Sequence, residues 1–206
     1  MTTPVRSQEQ LEELWAGEFG DAYLHRNIEA AAGRESYWKE FLDRFPISNV
    51  LEVGCTQGDN LVHFGGHLDN NQMAGLDVNA TVLESLQTNL PGIRAVKGVA
   101  RSMPFDDREF ELVFTVGLLI HIPDDALRDV MAEMIRCSGR YVYAGEYHSD
   151  EPTTIRYRDH DDILFKRDYG QLFQDWFPQL RLVDQGYLTK DDGFDRVTWV
   201  ILERVD

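Results

Sequence analysis

Cysteine is scarce in this chain: two in 206 residues, Cys55 and Cys137. Two thiols that far apart give neither a disulfide framework nor a CxxC zinc pattern. Positive charge is also in deficit, with 20 Lys and Arg against 36 Asp and Glu and a net charge of −16. Such a surface repels a phosphate backbone, so no nucleic-acid partner is expected. Long hydrophobic runs are missing too. The longest nearly unbroken one, Leu112 to Ile122, falls short of the roughly 20 residues that cross a bilayer, so no membrane partner is expected. The opening stretch MTTPVRSQEQLEELW lacks the apolar segment of a secretion signal. Together these absences lead to the expectation of a soluble, reduced, cytoplasmic protein. Internal repeats and low-complexity tracts are absent as well, and the length suits one domain over residues 1–206.

Three segments follow one another. Residues 1–45 read as helices. Leu11, Leu14 and Trp15 fall at i, i+3, i+4, and Tyr23, Ile28, Ala30, Ala31, Tyr37, Trp38, Phe41, Leu42 and Phe45 continue the apolar stripes until Pro46. Residues 46–146 alternate apolar runs (Asn49–Val53, Met73–Asp77, Ile93–Lys97, Glu111–Val116, Arg140–Gly145) with amphipathic stretches (Asn60–Leu68, Thr81–Leu90, Asp124–Cys137). Solid apolar strands separated by helices predict βαβ units and a parallel sheet covered on both faces. Residues 147–206 hold a polar insert and then two strands, Leu180–Leu188 and Phe194–Arg204, joined near Lys190–Gly193. That closing hairpin would make one edge of the sheet antiparallel.

The first strand runs into a glycine turn, Val50-Leu51-Glu52-Val53-Gly54-Cys55-Thr56-Gln57-Gly58-Asp59-Asn60. Gly54 and Gly58 allow a sharp reversal and close approach of a ligand, and a helix beginning near Asp59 would aim its free N–H groups there. The second strand ends at Asp77, placed to accept hydrogen bonds from a ribose diol. A dinucleotide site would favour GxGxxG. Here position 56 is threonine, and Glu52 sits just before the loop. An acid in that place disfavours a polyphosphate and suits a ligand with a cationic part. A short nicotinamide-dependent reductase is the competing enzyme class. The missing glycine and the absence of a Tyr-x-x-x-Lys pair count against it. A non-catalytic nucleoside-binding regulatory module stays open.

VLEVGCTQGDNL (50–61), GLDVN (75–79), VKGVARSMPF (96–105), FELVFTVGLLIHIPDD (110–125) and the closing hairpin resemble the class I S-adenosylmethionine (SAM)-dependent methyltransferases. WAGEFGDAYLHRN (15–27), YVYAGEY (141–147), YRDHDDILFKRDYGQLF (157–173) and LRLVDQGYL (180–188) resemble, more closely, the methylases associated with pseudaminic acid biosynthesis. The resemblance implies an α/β fold: a Rossmann-like seven-stranded sheet, mostly parallel with an antiparallel strand 7, in three αβα layers with an N-terminal helical lid. It implies SAM as cofactor and a small polar acceptor, a nonulosonic sugar or another small-molecule intermediate.

Residue roles follow from the same resemblance. Gly54, Cys55, Gly58 and Asn60 would run beside the methionine part of SAM, and Glu52 would meet its amino group. Asp77 would hold the ribose. Val78, Ala100 and Arg101 would lie by the adenine, where Val99 stands in place of the Asp found in many relatives. Val116 and Leu118 would flank the reacting methyl. From the aromatic leading helices themselves, Trp15, Phe19 and Tyr23 would cover the cofactor as a lid and Arg26 would reach its carboxylate, or Trp15 and Phe19 would be helix-face core.

Acceptor chemistry has several candidates. His121 would serve as a base or as a structural hydrogen bond at a helix start. Glu146, Tyr147 and His148 follow the fifth strand, where open α/β sheets place substrate groups. Arg156, Arg158, Lys166 and Arg167 cluster in the insert, either to hold an anionic acceptor or to pair with the neighbouring acids. No metal is expected.

Overall fold

The computed structural model describes residues 6–26 and 33–205, without the side chains of His25 and Arg26. The helical expectations for Ile28, Ala30 and Ala31, and the role expected of the Arg26 side chain, lie outside this set.

Three helices lead the chain: α1 (Gln8–Ala16), α2 (Glu18–Arg26) and α3 (Glu35–Arg44). A reciprocal capping box between Ser7 and Gln10 starts α1 and satisfies two otherwise orphaned donors. Gly17 ends it.

Seven strands then build the sheet: β1 (Val50–Val53), β2 (Met73–Asp77), β3 (Arg94–Lys97), β4 (Phe110–Val116), β5 (Ser138–Glu146), β8 (Leu180–Leu188) and β9 (Val197–Arg204). Their order is β3-β2-β1-β4-β5-β9-β8. All pairs from β3 to β5 are parallel, and β9 runs antiparallel to both β5 and β8. β6 (Thr153–Thr154) and β7 (Phe165–Lys166) form a separate small hairpin in the polar insert. The expected seven-stranded sheet with its one antiparallel strand is what forms.

Helices cover both faces. On one, α3 and α4 (Ala80–Asn89) bury Trp38, Phe41, Leu83 and Leu86 with Phe64, Phe114 and Tyr143. On the other, α5 (Asp124–Cys137) and α6 (Tyr169–Trp176) pack Val130, Met134 and Phe173 against Val113, Val142 and Leu202. Trp38 and Phe173 have no exposed surface, and full burial of each such side chain contributes about 1.5–3 kcal/mol. β1 is buried at all four positions, as a central parallel strand must be.

The strand order reverses direction between β1 and β4. Loops leaving the carboxyl ends of these two strands diverge to opposite faces and open a crevice. One element expected beside that crevice is absent. After the glycine loop the chain makes only a single 3₁₀ turn, Leu61–Phe64, instead of an amphipathic helix over 60–68. Gly65 and Gly66 follow at once, and glycine is a poor helix residue. A four-residue turn supplies no helix dipole to the ligand, so recognition there rests on the loop itself.

Candidate functional site

Gly54 ends β1 at φ +74°, and a Cβ there would stand 3.0 Å from Leu118 Cδ1. Its amide donates to Leu76 O at 2.8 Å, which ties the loop to β2. At Gly58 (φ +91°) a Cβ would come within 2.7 Å of Leu86 Cδ1. Glycine is therefore demanded twice, by dihedral and by space. Between them Cys55 is fully buried, and burial pushes its thiol well above the usual value. Its side chain is a packing group.

Asp77 stands at the tip of β2. Its Oδ2 accepts from Thr56 N at 3.1 Å and its Oδ1 from Asn79 N at 3.0 Å. Burial pushes the carboxyl upward while those amides hold it down. Asn79 caps α4 by accepting from Thr81 N and Val82 N. It also donates from Nδ2 to Trp15 O (3.2 Å) and to Asp21 Oδ1 (2.9 Å). One residue thus joins the acid tip, the α4 cap and the two leading helices.

Between these elements lies a cavity with about 850 Å³ of atom-free space, its solvent-open mouth included. Gly54, Thr56, Asp77 and Val78 line its floor, and Val116, Gly117 and Leu118 line one end. Gly98 and Ala100 lie on the side toward β3, and Trp15, Gly20 and Tyr23 face in from α1 and α2. The structure therefore brings together seven residues expected at the cofactor: Gly54, Asp77, Val78, Ala100, Val116, Leu118 and Tyr23.

Beneath the loop, Glu52 is 2% exposed. Asn60 Nδ2 donates to its Oε1 at 2.6 Å, while Oε2 has no partner among the described residues. Burial raises this carboxyl to about 8. Asn60 Oδ1 in turn accepts from Arg34 Nη1 (2.7 Å) and Trp38 Nε1 (3.3 Å). Arg34 is anchored further by donating from Nε to Gly193 O at 2.9 Å and by lying over the Phe194 ring. Sequence reasoning missed Arg34, because its partners are distant in the chain. It also missed Asn79, although an Asn directly before a helical stripe is a capping signal.

His121 lines the same cavity. Its Nδ1 is 2.6 Å from Ile163 O. A carbonyl only accepts, so Nδ1 carries the proton and Nε2 presents a lone pair. The ring packs on Trp15 with centroids 4.5 Å apart. Burial pulls its pKa down to about 4, so the imidazole is neutral at physiological pH.

Other expected residues are placed elsewhere. Arg101 forms a two-pronged pair with Glu12 of α1, Nε to Oε1 at 2.9 Å and Nη2 to Oε2 at 3.2 Å. It ties α1 to the loop after β3. Glu146 is not a substrate group. It is 1% exposed and accepts from the amides of Leu118, Leu119 and Ile120 at 3.1–3.2 Å, satisfying the donors of the turn after β4. Tyr147 donates to Asp195 Oδ2 at 2.9 Å, and His148 Nε2 lies 3.0 Å from Asp150. Neither lines the cavity.

The basic cluster of the insert does not converge. Arg167 is 5% exposed, gripping Asp124 at 2.6 and 2.9 Å and donating to Ile122 O at 3.2 Å; its donors are spent on the fold. Arg156 pairs with Asp159 at 3.2 Å. Arg158 lies over the Tyr157 ring and Lys166 over that of Tyr147. Local acids and aromatic rings account for these cations without a ligand. Among the described residues, no helix is long and apolar enough to cross a membrane.

The donor set suits a nucleoside bearing a cation. A carboxylate stands at the β2 tip, the glycine loop admits close approach, and a buried carboxyl oxygen below it has no partner among the described residues. Residues 50–139 match the family model described as a methyltransferase domain. Over its whole length the chain superposes on Burkholderia thailandensis 1,6-didemethyltoxoflavin-N1-methyltransferase bound to S-adenosylhomocysteine (SAH), with a TM-score of 0.76, 14% identity and 94% of that chain covered. Magnesium protoporphyrin IX methyltransferase from Synechocystis PCC 6803, with bound SAM, gives 0.69 at 10% identity, covering 99% of this chain and 100% of that one.

Among curated relatives, the phthiotriol/phenolphthiotriol dimycocerosates methyltransferase of Mycobacterium tuberculosis is 32% identical over 100 residues, 46% of this chain and 36% of that protein. The fatty-acid O-methyltransferase of Mycolicibacterium smegmatis is 29% identical over 97 residues, 46% of this chain and 35% of that one. The chain spans little more than a third of the length of these relatives. The fold is the one shared by these SAM- and SAH-bound methyltransferases.

Proposed function

We propose that the chain transfers a methyl group from SAM to a small-molecule acceptor held between the glycine loop and the leading helices. The observation that carries this reading is the single cavity shared by Gly54, Asp77 and His121. Asp77 would hold the ribose hydroxyls, and the Gly54–Cys55 backbone would follow the methionine part. Glu52, whose Oε2 has no partner among the described residues, would attract the amino group from beneath the loop. Bound there, SAM supplies a methyl already activated on a sulfonium.

The protein's task is then alignment and exclusion of water, and orientation alone is worth several kcal/mol, up to about 7–11 in model reactions. Trp15 and Tyr23 of the leading helices close the cavity and act as the lid. An acceptor hydroxyl or amine must lose its proton, and His121 Nε2 is the base positioned to take it. On this reading residues 1–45 are a cap, 46–146 the cofactor core, and 147–206 the insert and closing hairpin. The Ile163 carbonyl of the insert fixes the tautomer of the base.

The acceptor we favour is a polar, sugar-type molecule of the nonulosonic class. Its support is the resemblance of the 15–27 and 157–173 segments to pseudaminic acid-associated methylases. A lipid hydroxyl or carboxyl is the second reading, favoured by the names of the mycobacterial relatives. Incubation with methyl-labelled SAM and two panels, sugar acids with their nucleotide-linked forms and fatty acids with phenolic lipids, followed by mass spectrometry, separates the two. Label on a sugar supports the first and label on a lipid the second. SAH bound without turnover on any acceptor, including cell extract, would leave a regulatory module.

A further inference from the structure

We infer that Gln8, at the start of α1, reads the purine of the cofactor and gives the lid a role in choosing a 6-amino over a 6-oxo base. This rests on the SAM reading above. The side of the cavity toward β3 is walled by Val78, Gly98 and Ala100, and Gln8, Leu11 and Glu12 of α1 line the same cavity. A second, shallow hollow joins Glu12, Glu13 and Ala16 to Lys97, Gly98 and Val99, so α1 lies across the ends of β2 and β3. An adenine placed beside Val78 and Ala100 presents a donating amino group. Val99 offers that group only hydrocarbon from its side chain.

Gln8 is 8% exposed and its Oε1 has no partner among the described residues. Its Nε2 donates to Glu12 Oε1 at 3.0 Å. Glu12 is itself fixed by the two-pronged contact with Arg101. A carboxylate accepts and never donates. The amide therefore cannot turn over without setting Oε1 against Glu12, and the group left over is always an acceptor. A buried acceptor without a donor is unfavourable, and a purine 6-amino group supplies the missing donor. A 6-oxo purine would bring a second acceptor against the first.

The test uses the full chain, checked for native circular dichroism, and titration calorimetry with SAH and with S-inosylhomocysteine. The wild type is expected to prefer SAH by about tenfold or more, the effect of one buried unpaired polar group. Gln8→Leu is expected to lose affinity for SAH and to bind the two nucleosides about equally. Glu12→Leu removes the acceptor that holds the Gln8 amide in one orientation. The amide can then turn its donor toward a 6-oxo group, and discrimination between the two nucleosides is expected to fall. Wild-type discrimination retained in Gln8→Leu overturns the inference and leaves the SAM reading intact. A wild type that binds neither nucleoside overturns both.

Discussion

Asp77 Oδ2 accepts a hydrogen bond from the Thr56 amide at 3.1 Å, so the acid ending β2 and the loop leaving β1 are one unit. Thr56 itself sits at φ +47°, a left-handed conformation that costs a non-glycine residue about 1–2 kcal/mol. The bond to Asp77 helps hold it there. Replacing the acid therefore removes the expected ribose contact and releases the loop together. Asp77→Ala is expected to weaken SAH binding by about 1–3 kcal/mol, the range for hydrogen bonds to a charged group. Unchanged affinity by calorimetry in a folded variant contradicts the ribose assignment.

Glu52 gives the cofactor reading a proton signature. Its carboxyl is raised to about 8, so near pH 7 it is mostly protonated before a ligand arrives. A cationic amino group nearby favours the charged form. SAH binding at pH 7 is expected to release up to one proton, measured as the dependence of binding heat on buffer ionisation enthalpy, and Glu52→Gln is expected to abolish it. The stability effect runs the other way. Between the ordinary 4.5 and about 8, the folded chain keeps a proton the unfolded chain has lost, so stability falls as pH rises through that window. Glu52→Gln is expected to gain stability above pH 8 while it loses affinity. Equal proton release in wild type and variant would exclude Glu52 from the site.

His121 titrates in the opposite sense. Its folded value, about 4, lies below the ordinary 6.5. As pH falls from 6.5 toward 4, the unfolded chain takes up a proton that the folded chain refuses, and stability drops by up to about 3 kcal/mol. Urea midpoints followed over this range should show the drop in wild type and not in His121→Asn. With an acceptor in hand, the same variant is expected to lose about 10²–10⁴-fold in kcat, the usual contribution of a general base. A variant with wild-type kcat would assign His121 to packing alone.

Asn79 ties α1 and α2 to the start of α4. Asn79→Asp keeps the α4 cap, since Asp caps as well as Asn. It loses the donors to Trp15 O and Asp21, and it sets a carboxylate where an amide now meets Asp21 at 2.9 Å. Amide exchange in α1 and α2 is expected to quicken and SAH dissociation to speed up, with α4 unaffected. Unchanged exchange in α1 would show that the Arg101–Glu12 pair alone docks that helix.

The sheet was readable because a central parallel strand is a solid apolar run, as Met73–Asp77 is, and because the antiparallel edge strand Leu180–Leu188 alternates; both form over the residues expected. Gly54 and Asp77 were readable because a strand end and a required backbone geometry leave local marks. The missing helix after the loop was not, since the apolar spacing over 60–68 is real and serves a 3₁₀ turn packed under α3. Glu146 misled for a related reason. An acid at a strand end reads as substrate-binding, and only the return of the Leu118–Ile120 backbone shows what it binds. Arg34 and the pairing of Arg101 depend on contacts across dozens of residues, and no periodicity records them.

The most direct test is a crystal structure of the full chain grown with SAH. The ribose hydroxyls are expected within about 2.6–3.2 Å of the Asp77 carboxylate, with the adenine between Val78 and Ala100 and the homocysteine sulfur facing His121. SAH lodged in another part of the molecule, or absent from the crystal at saturating concentration, would contradict the account.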